Sequence, residues 1–261
     1  MGGDRLLGER IPDSFRNRDG NVRQSLTSLC AQIRMAAPDS GEPSFADCIT
    51  SRRATTTDQS IWEDTDARQS LYVVESGIAF RFTYLANGKR HIDDIYGPGS
   101  ICNWPRLTSE NYRCNLTFKS GARFALLDPS RFGAMLNEQE PVMAALRQID
   151  AARNQRVAQR VRALISLPAS HRIAILLLDL REEYRLSGID TSSVPLSLTQ
   201  EEIADVTGMT VVHVNRTLSK MEQANELLRA RGTFYLPGSQ GLESQLGYQR
   251  FIADEGIGDD W

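Results

Sequence analysis

The stretch LSLTQEEIADVTGMTVVHVNRTLSKMEQANELL, residues 196–228, leaves its backbone few choices. Thr199 followed by Glu202 forms a capping box, which predicts a helix from about Gln200 to Val206. Gly208 supplies the turn that follows, and Thr210 caps a second helix over about 210–222. In the second helix Val211, Val214, Leu218 and Met221 recur at helical spacing, while His213, Asn215, Arg216 and Lys220 point elsewhere. Ile203, Ala204, Val214 and Leu218 are the expected contact between the helices, with Ala204 small enough for a close crossing. The pair therefore holds its second helix as a rigid rod with one face uncovered.

That face has the chemistry of a base reader. Arg216 can donate two hydrogen bonds to guanine, Asn215 can pair with adenine, His213 can reach a base or a phosphate, and Thr210 or the helix N-terminus can hold a phosphate. The following LLRARGTFYLPG predicts a hairpin turning at Arg231-Gly232, a wing whose Arg229 and Arg231 reach the DNA backbone. Charge is the weak point. From Thr199 to Leu236, Arg216, Lys220, Arg229 and Arg231 face Glu201, Glu202, Asp205, Glu222 and Glu226, so the segment has no basic surplus. Affinity for DNA is then expected to draw on dimerisation and on Arg160, Arg162 and Arg172. The rival reading is a protein-docking helix pair, since a glycine-turned pair is also a common packing unit.

Upstream the period changes. Between about 45 and 130, the short β-favouring runs SLYVVES, IAFRFTYL, KRHIDDIY, CNLTFKS and RFALLD are separated by Gly77, Asn87-Gly88, Gly97-Pro98-Gly99 and Gly121. Asn-Gly between alternating apolar runs marks a tight hairpin. This rhythm suits an antiparallel barrel or jelly roll with a hollow for a small ligand. From about Asn137 to Ser166 a long helix is expected, with a broken apolar stripe of Met143, Leu146, Ile149, Val157, Val161 and Leu164. Arg147, Arg153, Arg156, Arg160 and Arg162 lie between those positions and are read as a solvated basic face. Pro168 breaks that helix, and HRIAILLLDLREEY is expected as an amphipathic helix closed by Ser187-Gly188 before the polar linker GIDTSSVP.

The bulk numbers narrow the class. At 261 residues and 41% hydrophobic the chain is long enough for about two folded domains. It has no apolar run of about 18 residues and a charged start, which points to the cytoplasm and no membrane. Cys30, Cys48, Cys102 and Cys114 form no CxxC pair and are expected as reduced structural thiols. A net charge of -3 argues against a protein that coats nucleic acid indiscriminately. No nucleophile elbow, Walker loop or HExxH appears, and Asp93-Asp94 and Glu201-Glu202 are explained by surface charge and helix capping, so no enzyme is expected.

LTQEEIADVTGMTVVHVNRTL resembles the helix-turn-helix signature of the CRP/FNR family of bacterial transcription regulators, and the similarity runs from roughly Ser60 to Leu236. The resemblance implies an α+β chain. Its parts are a disordered arm over 1–25, an antiparallel β-barrel or jelly-roll sensor domain over 26–136, and a dimerisation helix over 137–167. A winged helix-turn-helix over 168–237 and a tail over 238–261 complete it. It implies Arg216 as the recognition-helix arginine, Thr210 as the phosphate-holding cap, and Val211, Val212 and His213 at readout positions. With Thr199, Asn215 and Lys220 these form the candidate DNA-contacting set. The implied partners are double-stranded DNA with a palindromic site, a second copy of the chain, and RNA polymerase.

The family's cyclic-AMP residues are mostly missing. Cys102-Asn103 stand near its Gly-Glu pair, Tyr112-Arg113-Cys114-Asn115 keep only Arg113 of its phosphate stretch, and Val157 and Ala158 replace its helix hydroxyls. Without the carboxylate the ribose hydroxyls lose their acceptor, so cyclic AMP is not expected. Cys30 and Cys48 are too far apart for an iron–sulfur motif, and His91 alone does not make a haem site. No cofactor or metal is assigned, and the effector is left unnamed.

Overall fold

The computed structural model describes residues 26–252, apart from 42, 63–69, 110–111, 113, 190–193, 196–197, 231–232 and 237–238. The 1–25 arm and Arg113 therefore lie outside the described residues. The β-rich half begins with helix α1 (Thr27–Ala36), which the β-rich reading of 26–136 does not contain. Its Leu29, Cys30 and Ile33 are buried. Seven strands follow: β1 (Ile49–Ala54), β2 (Gln59–Ile61), β3 (Leu71–Ser76), β4 (Ala79–Tyr84), β5 (Arg90–Tyr96), β6 (Asn115–Phe118) and β7 (Arg123–Leu127). They form two antiparallel sheets, ordered β1-β7-β3 and β2-β6-β4-β5, a jelly-roll-like sandwich and not a closed barrel. The Asn87-Gly88 hairpin forms, but Tyr84 pairs with Arg90, so its loop spans Leu85 to Lys89 with Gly88 at φ +77°.

Large side chains fill the space between the sheets. Phe118 and Phe124 stack at 3.7 Å between ring centroids, and Tyr72 tilts against both at 5.9 and 6.2 Å. Leu116, Cys102 and Cys114 complete this cluster. The hollow expected from the sequence is thus occupied by aromatic packing. All four cysteines are buried, as their reading as structural thiols requires.

The expected long helix forms as one piece, and a separate shorter helix precedes it. Asp128 caps α2 (Pro129–Glu138) by accepting from Arg131 N at 2.9 Å, and Pro129 takes the first helical position. Helix α3 (Glu140–Ser166) follows after Gln139. Leu146 and Ile149 turn inward onto α1 and the first sheet, with Met143 packed beside them. The first three of the six stripe residues are therefore spent on the chain's own core, while Val161 stays exposed.

Helix α4 (Ala169–Leu186) departs from the amphipathic expectation, since every residue from Ile173 to Leu180 is buried. One side meets the second sheet and the C-terminal helices, and another meets the tail. Gly188, at φ +70°, closes α4 with Ile189 N donating to Tyr184 O at 3.0 Å. Helices α5 (Gln200–Thr207) and α6 (Val211–Gln223) then form the glycine-turned pair. A three-stranded sheet ordered β8 (Val194–Pro195), β10 (Thr233–Tyr235), β9 (Leu228–Ala230) makes the wing. Its turn at Arg231-Gly232 lies outside the described residues. Helix α7 (Ser239–Leu246) brings the tail back across α4.

Candidate nucleic-acid interface

Both helices carry the caps expected of them. Thr199 Oγ1 accepts from Glu202 N at 3.2 Å while Glu202 Oε2 accepts from Thr199 N at 2.8 Å. Gly208 ends α5 at φ +66°, a left-handed conformation that suits glycine. Thr210 Oγ1 accepts from His213 N at 3.2 Å and starts α6. Ile203, Ala204, Val214 and Leu218 are all buried between the helices. Met221 and Thr217 complete the inner face of α6, which fixes what is left outside.

Val211, Val212, His213, Asn215, Arg216 and Lys220 are all exposed on α6. Val212 and Arg216 stand four residues apart at the centre of the outward side. Thr210 is also exposed, at the N-terminal end where backbone N–H groups remain unpaired. Thr199 is separate from this group: it caps α5. Gln200, absent from the candidate set, donates from Nε2 to Asn215 Oδ1 at 3.4 Å and so ties the first turn of α5 to the outward face of α6. Its only sequence signal is its place just inside the capping box.

The charge problem resolves once the acids of the segment are followed. Glu202 receives Lys119 Nζ at 2.6 Å, and the same ammonium reaches Asp58 at 2.5 Å. Asp205 receives Arg90 Nε at 2.8 Å, with that guanidinium lying over the Phe80 ring at 5.3 Å. Glu222 receives Arg229, the wing arginine expected on DNA, at 3.0 Å. Three of the five acids are thus engaged, two of them by the β-rich half, whose β5 packs on α5. Arg216 and Lys220 have no ion pair among the described residues. The potential over the outward face of α6 is set by them more than the net charge implies.

The arginines of α3 do something other than expected. Arg153 and Arg156 are buried and Arg160 is largely so, and they form a network with Asp94 on β5 and with Asp179 and Glu183 on α4. Arg153 Nη2 lies 3.0 Å from Glu183, and its guanidinium covers the Tyr96 ring at 4.7 Å. Arg156 pairs with the other Glu183 oxygen, and Arg160 bridges Asp94 and Asp179. Ser100 Oγ and Gly97 N donate to Glu183 at 2.6 and 3.0 Å. Burial alone would raise the Glu183 carboxyl, but Arg153 and Arg156 with these donors hold it down at about 2. Arg160 is therefore not available to DNA, and Asp94 is a buried ion-pair member, not surface charge. Arg172 spends its Nε on Leu167 O at 2.9 Å, closing the end of α3.

The tail, which carries no legible motif, joins this network. Tyr248 OH donates to Asp179 Oδ1 at 2.8 Å, Gln249 N to Gln159 Oε1 at 3.1 Å, and Arg185 to Ile252 O at 2.9 Å. Near the family's cyclic-nucleotide position, Asn103 accepts from Tyr72 N at 3.0 Å and donates to Ser70 O at 2.9 Å. The residue standing for the carboxylate is thus used to pin β3. Val157 and Ala158 are half-buried on α3.

Comparisons with known proteins agree with this layout. A family model described as a Crp-like helix-turn-helix domain matches residues 171–244. The nitrogen fixation regulation protein FixK of Azorhizobium caulinodans is 28% identical over 181 residues, 69% of each chain. The transcriptional activator protein Anr of Pseudomonas protegens is 22% identical over 80% of this chain and 84% of its own. Among solved structures, FixK2 from Bradyrhizobium japonicum superposes with a TM-score of 0.62 at 19% identity, covering 74% of this chain and 96% of its own. A CRP-family transcriptional regulator from Thermus thermophilus gives 0.58 at 23% identity, over 78% of this chain and 100% of its own.

Proposed function

We infer that the chain is a transcription regulator of the CRP/FNR family and not an enzyme, and we propose that it is a dimer reading a palindromic duplex with α6. The observation that carries this reading is the outward face of α6. Arg216, Lys220, Asn215 and His213 are exposed there together, while three acids of the same segment are engaged elsewhere. Arg216 pairs with guanine, Asn215 with adenine, and Thr210 with a phosphate at the helix start. Val211, Val212 and His213 line the same groove, Lys220 meets backbone phosphate, and Thr199 holds α5 in place behind them.

A second copy of the chain docks along α3. Arg147, Ala151, Asn154, Ala158, Val161 and Ile165 follow one another at alternating spacings of four and three, the seam of a two-stranded coiled coil. Val161 is 48% and Ile165 79% exposed, and four residues apart they share one uncovered face of α3. Asn154 takes a central seam position, where an amide fixes register at some cost in stability. Two copies joined this way present two α6 helices to half-sites about one helical turn apart.

A regulator that works on promoters acts in the cytoplasm, with RNA polymerase as a further partner. Among the described residues no helix is long and apolar enough to cross a membrane. The domain bounds 26–136, 137–167 and 168–237 serve as the working division of labour, with α2 assigned to the sensor side. The protein-docking alternative predicts no duplex preference. The deciding test is selection from random duplexes at stated salt, followed by Arg216→Ala. Loss of binding to the enriched palindrome with an intact fold is expected, and unchanged binding overturns the guanine contact of Arg216.

A further inference from the structure

Val212 is 61% exposed, and Val211 before it is 41% exposed. Val212 stands at the centre of the outward face of α6, one turn ahead of Arg216, in the N-terminal part of the helix that approaches base edges most closely. Its neighbours on that face, His213, Asn215 and Arg216, are polar or charged. Val212 itself can neither donate nor accept a hydrogen bond. A groove partner that rewards such a side chain must offer an apolar group at the same depth as a guanine edge.

In the major groove only one base does. Thymine carries a C5 methyl group, whereas cytosine presents a C4 amino donor that an apolar side chain leaves unpaired. We propose that Val212 is a specificity-determining residue that reads a thymine methyl next to the guanine read by Arg216. The proposal rests on the DNA reading above and names what that reading left open. Four residues of helix rise about 6 Å, and stacked bases lie about 3.4 Å apart, so the thymine falls one or two base steps from the guanine. Val211 lies nearer the buried side with Val214 and shields the contact from water.

The test uses the full chain and the duplex enriched from a random library. Replacing the thymine at that step by deoxyuridine removes the methyl group and nothing else. Binding by the unaltered protein is expected to weaken about four-fold per half-site, the weight of one buried methyl group. Val212→Ala, a change at an exposed site that leaves the fold alone, shortens the apolar side chain and is expected to discriminate less between the two duplexes and to weaken the thymine preference in its own selection. Equal binding of both duplexes by the unaltered protein overturns the proposal while leaving DNA reading in place, as does a Val212→Ala variant that discriminates as strongly as the unaltered protein. Failure to enrich any duplex removes the DNA reading and the proposal with it, whereas full binding of the enriched duplex by Arg216→Ala removes the guanine contact from which the place of the thymine is reckoned, and the proposal falls alone.

Discussion

Lys119 Nζ lies 2.6 Å from Glu202 Oε1, so the turn after β6 and the first helix of the helix-turn-helix share a buried ion pair. Glu202 serves two structures at once, capping α5 with one oxygen and receiving the ammonium of the β-rich half with the other. The position of the recognition helix is thereby tied to a strand end more than eighty residues away in sequence.

Lys119→Met should cost about 3 kcal/mol, because it leaves a buried carboxylate without its cation. Urea unfolding measures the loss, and hydrogen exchange of the α5 amides should rise with it. Unchanged exchange in α5 would show that Arg90 and the apolar contact hold the helix without Lys119.

Glu183→Gln removes the negative charge shared by Arg153 and Arg156 and turns an amide donor toward one guanidinium, and should destabilise the protein by about 3 to 5 kcal/mol at neutral pH. Its pH dependence has a definite sign. The Glu183 carboxyl sits at about 2 against an ordinary value of 4.5, so its contribution is complete above about pH 4.5 and is lost as pH falls toward 2. The full effect is roughly 3 kcal/mol. Asp179, pushed up by burial despite Arg160, acts in the opposite direction and offsets part of it. Urea midpoints at pH 6 and pH 3 should differ less in Glu183→Gln than in the unaltered chain.

Tyr248→Phe deletes the hydroxyl that donates to buried Asp179 and should cost about 1.5 to 3 kcal/mol, the range for a hydrogen bond to a charged group. Thermal unfolding reads this directly. A variant as stable as the parent would mean that Arg160 alone satisfies Asp179 and that the tail is held by its apolar contacts.

Ile165→Glu places two carboxylates against each other across the proposed seam of α3. The side chain is 79% exposed within one chain, so the fold should persist while sedimentation shifts from dimer to monomer. Duplex affinity should fall with it, since a single α6 covers only a few base pairs.

What the sequence reveals and what it hides divide along the range of the interactions. Thr199, Glu202, Gly208 and Thr210 act within three or four residues of themselves, so the helix pair is legible down to its caps. Arg160 cannot be read the same way. Its acids lie 19 residues ahead and 66 residues behind, and an arginine on a helix looks solvated until those partners are placed. Helix α4 misleads because a lone Asp179 and the flanking Arg and Glu residues imitate a polar face, while the fold buries that face in ion pairs. Helix α2 does leave a local signal, Asp128 before Pro129, which the longer run behind it conceals. The filled sandwich is not legible, since the same alternation serves a hollow or a packed interior.

The unbroken burial of α4 from Ile173 to Leu180 bears on how such a chain can be taken apart. One apolar cluster runs without a break from Phe80 and Ile92 in the second sheet, with Ile78 just ahead of β4, through Ile173 and Leu177 of α4 to Ile203, Val214 and Phe234 in the helix-turn-helix half. Cutting the chain at Pro168 would strip α4 of one flank, and removing the tail would strip another. The helix-turn-helix half is consequently not a portable cassette that could be grafted behind a different sensor. Any exchange of parts, by recombination or by design, has to carry the surfaces of β4 and β5 along with the helices that rest on them.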